Sequence, residues 1–198
     1  MKKILVSSLV LGFASLAVAA PEVGQPAPGF TLMDSHGKEH RLADFQGKTV
    51  VLEWVNYGCP FVKKHYDSKN MQTLQKAAAE KGVVWLAICS SAPGKQGNET
   101  PESGKAKTAE YGSAATAYLV DADGRVGKLY EARTTPEMFV INPEGTLIYQ
   151  GAIDDNNSPD SAVIPDSKNF VKAALDDTLA GKPVSIPSTK SYGCSVKY

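Results

Sequence analysis

The stretch Thr49-Val50-Val51-Leu52-Glu53-Trp54-Val55, followed at once by Asn56-Tyr57-Gly58-Cys59-Pro60-Phe61-Val62-Lys63-Lys64, decides how this chain folds. The first segment is apolar or β-branched except for Glu53. Such continuous hydrophobicity is what a strand covered on both faces requires. Pro60 suits the first position of a helix, so Cys59 lies at or just before a helix N-terminus. Unpaired backbone N–H groups and the positive end of the helix dipole stabilise a thiolate there. Gly58 lets the backbone turn into the helix. Lys63 and Lys64 add positive charge, although a lysine four residues on points along the helix toward water. The alternative is a buried structural thiol, against which the turn, the proline and the helix start agree on a reactive one.

Glu53 is the second clue. A carboxylate in a doubly covered strand is costly when ionised, and its pKa rises. A strand residue just beneath a reactive cysteine is well placed to accept and return protons during thiol exchange. The alternative is an edge position where Glu53 meets water.

Outward from this centre, Phe30–Met33 reads as a short strand and Asp34–Lys38 as a turn. Pro60 to Lys81 is helical with a break near Asp67–Asn70, where Asp, Ser and Asn side chains compete with the helix backbone. Val83–Cys89 is a second buried strand. Thr100-Pro101-Glu102 supplies a cap and a first-turn proline for a helix ending near Tyr111. Tyr118–Val120 is a strand and Arg125–Glu131 a helical turn or two. Met138–Ile141 and Thr146–Tyr149 flank Asn142-Pro143-Glu144-Gly145 as a hairpin. A last helix runs from about Asp166 to Ala180, ended by Gly181 and Pro183, and an irregular tail follows. This order is an α/β plan with a mixed sheet. Ligands of such sheets bind beyond the carboxyl ends of the parallel strands, where Cys59 sits.

Composition sets the outer bounds. The 198 residues are 42% hydrophobic and 21% charged, an ordinary globular balance that excludes a disordered or fibrous chain. Lys+Arg 21 against Asp+Glu 21 leaves no electrostatic footprint for nucleic acid. Three cysteines are too few for a disulfide-built scaffold and become candidates for chemistry. Met1-Lys2-Lys3, the apolar run Ile4–Val18 and the ending Ala17-Val18-Ala19 read as a bacterial-type signal peptide over 1–19. Residues 20–181 then form one domain and 182–198 a tail carrying Cys194. The run is too short for a comfortable membrane anchor, so the expectation is a periplasmic or secreted product without an integral membrane segment.

These residues resemble a known group. Phe30-x-Leu32 with Gly37-Lys38 and Leu42, Gly47-Lys48-x-Val50-Val51-Leu52, Trp54 with Cys59-Pro60, and Thr134-Thr135-Pro136 before Met138-Phe139-Val140-Ile141 are similar to the thioredoxin-fold redoxins. The nearest group is the peroxiredoxin-like members of the alkyl hydroperoxide reductase/thiol-specific antioxidant superfamily. The resemblance implies a thioredoxin-like fold, a central mixed sheet flanked by helices, across nearly all of the mature chain. It implies that Cys59 is the redox nucleophile and that Glu53 is the buried carboxylate. It also makes Pro136 the cis-proline whose preceding backbone meets an extended substrate. Two departures stand out. Thioredoxin's Cys-x-x-Cys is Cys59-Pro60-Phe61-Val62 here. Leu52 and Asn56 occupy the places where a peroxiredoxin keeps the Pro and Thr or Ser that help it polarise a peroxide.

Cys194 lies in a polar tail where nothing builds a core. In an oxidising compartment it pairs, with Cys59 as the target, either as a resolving cysteine or as a permanent staple. Cys89 reads as a small buried hydrophobe or as a second resolving thiol. A copper site from Cys59, Cys89 and His65 can be drawn, but no metal-ligand spacing repeats. His65, six residues or about 1.7 turns beyond Cys59, does not project toward it. Asp154-Asp155-Asn156-Asn157 and Asp121-Ala122-Asp123-Gly124 read as Asx turns, and His36 and His40 have no visible partner. The expected function is thiol–disulfide oxidoreduction with a thiol or disulfide protein, or a small thiol donor, as partner and no bound cofactor or metal. The alternatives are a thiol peroxidase and a non-catalytic binding module.

Overall fold

The computed structural model describes residues 21–198, so the proposed signal peptide lies outside the described residues. Strands β1 (Thr31–Asp34), β2 (Glu39–Arg41), β3 (Val50–Trp54), β4 (Val84–Cys89), β5 (Ala117–Val120), β7 (Glu137–Ile141) and β8 (Leu147–Gly151) form a sheet in the order β2-β1-β5-β4-β3-β7-β8. The pairs β3–β4 and β4–β5 are parallel and the others antiparallel, which makes the sheet mixed. A separate two-residue pairing joins β6 (Thr134–Thr135) to β9 (Cys194–Ser195). Helices α1 (Pro60–Asp67), α2 (Asn70–Glu80), α3 (Pro101–Glu110), α4 (Arg125–Leu129) and α5 (Phe170–Leu179) complete the chain.

All five β3 residues are buried, as their unbroken apolar run requires. Alternate side chains enter two cores. Val50, Leu52 and Trp54 pack with Leu86, Ile88, Val126, Tyr130 and Phe139. Val51 packs on the other face with Tyr66, Met71, Trp85, Val140, Val171 and Leu175, the face that receives Glu53. The break between α1 and α2 has a visible cause. Ser68 Oγ donates to the carbonyls of Lys64 and His65, and Lys69 adopts a left-handed conformation, φ 64°.

One expected boundary moves and one element is added. The last helix begins at Phe170, because the Asn169 side chain accepts from the Lys172 N–H and caps it there. Ser161–Asp166 forms a separate 3-10 turn capped by Asp160. The tail is irregular as expected apart from its two-residue strand, but it is docked: Cys194 and Ser195 pair with Thr135 and Thr134, and Tyr192 and Cys194 pack against the core. His40, expected to lack a partner, has its Nε2 2.8 Å from Asp34 Oδ2 in a buried contact. No helix of the described residues is long and apolar enough to cross a membrane.

Candidate active site

Cys59 occupies the N-cap of α1 with extended backbone, φ −81° and ψ 127°, and Pro60 opens the helix. Asn56 builds the turn that puts it there. Its carbonyl accepts from the Cys59 N–H at 2.9 Å, its Oδ1 from the Gly58 N–H at 2.9 Å, and its Nδ2 donates to the Gln96 carbonyl at 3.2 Å. Gly58 serves this turn by letting neighbours approach, since a Cβ there would lie 2.1 Å from Gln96 Nε2.

Across from Cys59 stands the cis Thr135–Pro136 peptide. The Cys59 thiol donates to the Thr135 carbonyl at 3.1 Å. In the antiparallel β6–β9 pair Thr135 is registered with Cys194, and the Val196 N–H donates to the Arg133 carbonyl at 3.0 Å. Gly193 makes this docking possible. Its φ is +134°, and a Cβ would meet the Thr135 carbonyl oxygen at 2.1 Å. The structure thus brings Cys59, Cys194 and Pro136 together from three distant parts of the sequence. All three cysteines are free thiols.

Burial alone would push the Cys59 thiol up, and Cys59 is 0% exposed. The Cys194 thiol, the Thr135 hydroxyl and the N–H groups of Val62 and Cys194 outweigh it by hydrogen-bonding the sulfur, so its pKa falls below the ordinary thiol value. Among the described residues the buried Thr135 hydroxyl has no other hydrogen-bond partner, which leaves it free to serve the Cys59 sulfur. Burial and the neighbouring Cys59 push Cys194 the opposite way, to about 11. The first-turn lysines are not what activates Cys59. Lys63 is exposed, and Lys64 is buried with its ammonium turned to Asp154.

Glu53 is fully buried and does not sit at an edge. Its carboxylate accepts from Trp85 Nε1 at 2.7 Å, Tyr66 OH at 3.0 Å and Gln75 Nε2 at 3.1 Å. Burial raises its pKa to about 7 despite these three donors, none of which is Cys59. Cys89 is turned away as well, its thiol donating to the Gly97 carbonyl at 3.1 Å. His65 is held by Asn70 and Tyr192, so Cys59, Cys89 and His65 do not converge.

Sequence reasoning missed a buried polar cluster beneath the tail. Lys64 Nζ lies 3.2 Å from Asp154 Oδ2 and donates to the Asn156 carbonyl at 2.7 Å. Tyr192 OH donates to Asp154 Oδ1, and its ring meets Phe61 edge-on with centroids 5.8 Å apart. Asp154 does form the expected Asx turn with the Asn156 N–H, and the same carboxylate also receives Lys64 and Tyr192. The available signal was Tyr192 itself, an aromatic residue two positions before Cys194 in a polar segment.

A helix-capping cysteine facing a cis X-Pro turn at the end of a parallel strand is the arrangement expected of a thioredoxin-like fold. The AhpC/TSA family model matches residues 23–150, and the chain belongs to the AhpC/TSA family. A thiol-disulfide oxidoreductase ResA of Bacillus thuringiensis subsp. konkukian is 29% identical over 129 residues, 65% of this chain and 69% of the relative. An uncharacterised conserved protein of Geobacillus kaustophilus is 30% identical, with TM-score 0.77 over 89% of this chain and 92% of that one. A hypothetical protein of Sinorhizobium meliloti 1021 is 28% identical, with TM-score 0.76 over 91% of this chain and 96% of that one.

Proposed function

We propose that this protein is a thiol–disulfide oxidoreductase whose redox pair is Cys59 and Cys194. One observation carries the reading. The tail strand registers Cys194 on Thr135, the residue whose carbonyl accepts from the Cys59 thiol, so the two cysteines flank one residue of the cis-proline turn. In the reducing direction the two thiols give two electrons and two protons to a partner disulfide and become a Cys59–Cys194 disulfide. The reverse exchange oxidises a dithiol partner, and the partner's potential sets the direction. Cys59 is the stabilised thiolate, Cys194 the thiol that closes or opens the bond, and Thr135–Pro136 the backbone that aligns them. Glu53 takes and returns protons from the core side, where a carboxyl group with a pKa of about 7 suits neutral conditions. An exported location, read from Met1–Ala19, completes the proposal. The similarity to a ResA oxidoreductase supports the same chemistry. The peroxidase alternative has no comparable support, because Leu52 is packed in the apolar core and the Asn56 amide is committed to Gly58 and Gln96.

The test is a redox titration of the wild-type protein in glutathione buffers, with mass spectrometry locating the bond. The expected result is a reversible Cys59–Cys194 disulfide, with disulfide exchange on a protein substrate lost in Cys59→Ser. A bond that resists reduction until the chain unfolds, or a Cys59 that stays free, defeats the proposal.

A further inference from the structure

The helix that Cys59 caps also carries the seat of the tail. Phe61, Lys64 and His65 stand at spacings i, i+3 and i+4, which puts them on one face of α1. The side chains of Lys64 and His65 are 0% exposed, so this face is covered. Tyr192 is part of the cover. Its ring meets Phe61 edge-on and has Lys64 Nζ 5.4 Å from its centroid. Its hydroxyl donates to Asp154 Oδ1 and stands 3.4 Å from His65 Nε2 and 3.5 Å from Lys64 Nζ. Only Gly193 separates Tyr192 from Cys194, and a glycine lends that link no stiffness of its own. On the other side of Cys194, the β6–β9 pairing spans two residues, too few to fix a segment alone. Cys194 therefore depends for its place on what holds the tail at either side.

Resting on the Cys59–Cys194 pair proposed above, we infer that Tyr192 is a positioning residue for that pair: seated on α1, it holds Cys194 at Cys59 and so sets how readily the disulfide forms. An intramolecular disulfide forms in proportion to the local concentration of one thiol about the other, and that concentration falls when the tether loosens. With Tyr192 seated, both cysteines belong to one body. Cys59 starts α1, and Cys194 is tied through Tyr192 to Phe61, Lys64 and His65, within two turns of that start. The cost of ordering the tail is then met on folding and not again at bond formation. Without the anchor the dithiol form gains a freer tail, which the disulfide must order, and the equilibrium moves toward the dithiol. The hydroxyl matters as well as the ring. Lys64, His65 and Asp154 surround it, and a phenylalanine at this position would leave the cluster without its central hydrogen-bonding group.

The equilibrium with glutathione tests this. Glutathione disulfide oxidises the pair: the Cys59–Cys194 bond forms, the glutathione S–S bond breaks, and two electrons and two protons pass to give two glutathione thiols. The equilibrium constant of that exchange, in molar units, is the effective concentration of the two cysteines. Graded glutathione buffers, acid quenching and mass spectrometry give it for wild type, Tyr192→Ala and Tyr192→Phe. The expected fall in Tyr192→Ala is about tenfold or more, equivalent to a potential higher by about 30 mV. Tyr192→Phe keeps the ring against Phe61 and loses the hydroxyl, and its expected fall is about threefold. Urea unfolding of the reduced forms runs in parallel. A constant equal to that of wild type in both variants overturns the inference, even where the reduced forms unfold more easily, because Tyr192 would then stabilise the fold without positioning Cys194. If Tyr192→Ala does not fold, Tyr192→Phe decides alone. Failure of the wild-type protein to form a Cys59–Cys194 disulfide is a different result, and it removes the pair itself and the inference with it.

Discussion

Lys64 and Asp154, ninety positions apart in the chain, form an ion pair of 3.2 Å in which the side chains are 0% and 3% exposed. The pair joins the helix that begins at Cys59 to the loop that receives Tyr192. Removing one partner of such a pair leaves a buried charge uncompensated, whereas removing both leaves none. Lys64→Met is therefore expected to cost about 3 kcal/mol in denaturant unfolding. The double variant Lys64→Met/Asp154→Leu should be more stable than Lys64→Met alone. Equal losses in the two would mean that the pair carries no special energy.

Glu53 and His65 predict opposing dependences of stability on pH. Glu53 keeps its proton in the fold up to about pH 7, against an ordinary 4.5, so stability falls as pH rises between those values. His65 is depressed from 6.5 to about 4, by burial first and by Lys64, with Asp154 opposing. Stability from that group is complete above pH 6.5 and is lost as pH falls toward 4. Each effect is worth about 3 kcal/mol, and they oppose one another between roughly pH 4.5 and 6.5. Relative to wild type in that window, Glu53→Gln should make stability climb more steeply with pH, and His65→Asn should make it decline. Urea unfolding at four pH values checks both signs.

Gly193→Ala tests the docking of the tail. The added methyl would meet the Thr135 carbonyl oxygen at 2.1 Å, at a backbone φ of +134° that alanine resists. The β6–β9 pairing should open while the main sheet, which does not use it, stays intact. Iodoacetamide should then alkylate Cys59 about tenfold faster or more, with far-UV circular dichroism unchanged. An unaltered alkylation rate would show that the tail does not shield Cys59.

Thr135→Val keeps the side-chain shape and removes the hydroxyl that stabilises the Cys59 thiolate. A hydrogen bond to a charged group is worth enough to move the Cys59 titration, followed by thiolate absorbance at 240 nm, upward by about 1 pH unit. The Cys194 step, near 11, lies well apart from it. No movement would assign the stabilisation to the backbone N–H groups and Cys194 instead.

Most of the framework was legible in the sequence because its signals are local. The unbroken run Val50–Trp54 announces a strand covered on both faces, and Cys59-Pro60 announces a helix start. The Ser68 break and the Thr100 cap follow from side chains that bond the nearest backbone. Glu53 was conspicuous for the same reason, as the one charge in an apolar strand. The start of the last helix was misplaced because the capping residue, Asn169, lies three positions beyond the apparent start at Asp166.

The burial of Lys64 and the seat of Tyr192 were not legible. A lysine on a helix ordinarily carries its ammonium to water, and an aspartate beside Asn156 ordinarily caps its own turn. Their meeting depends on how the β8–α5 loop returns over α1, which no spacing within either segment encodes. The sequence by itself determined the elements, the helix-capping cysteine and the buried carboxylate, since each depends on neighbours within a few residues. The tertiary structure alone decided that the tail would pair with Thr135, cover Cys59 and bring Cys194 beside it. That arrangement rests on backbone pairing and a buried ion pair between segments 59 to 90 residues apart, and such contacts exist only once the sheet has brought those segments together.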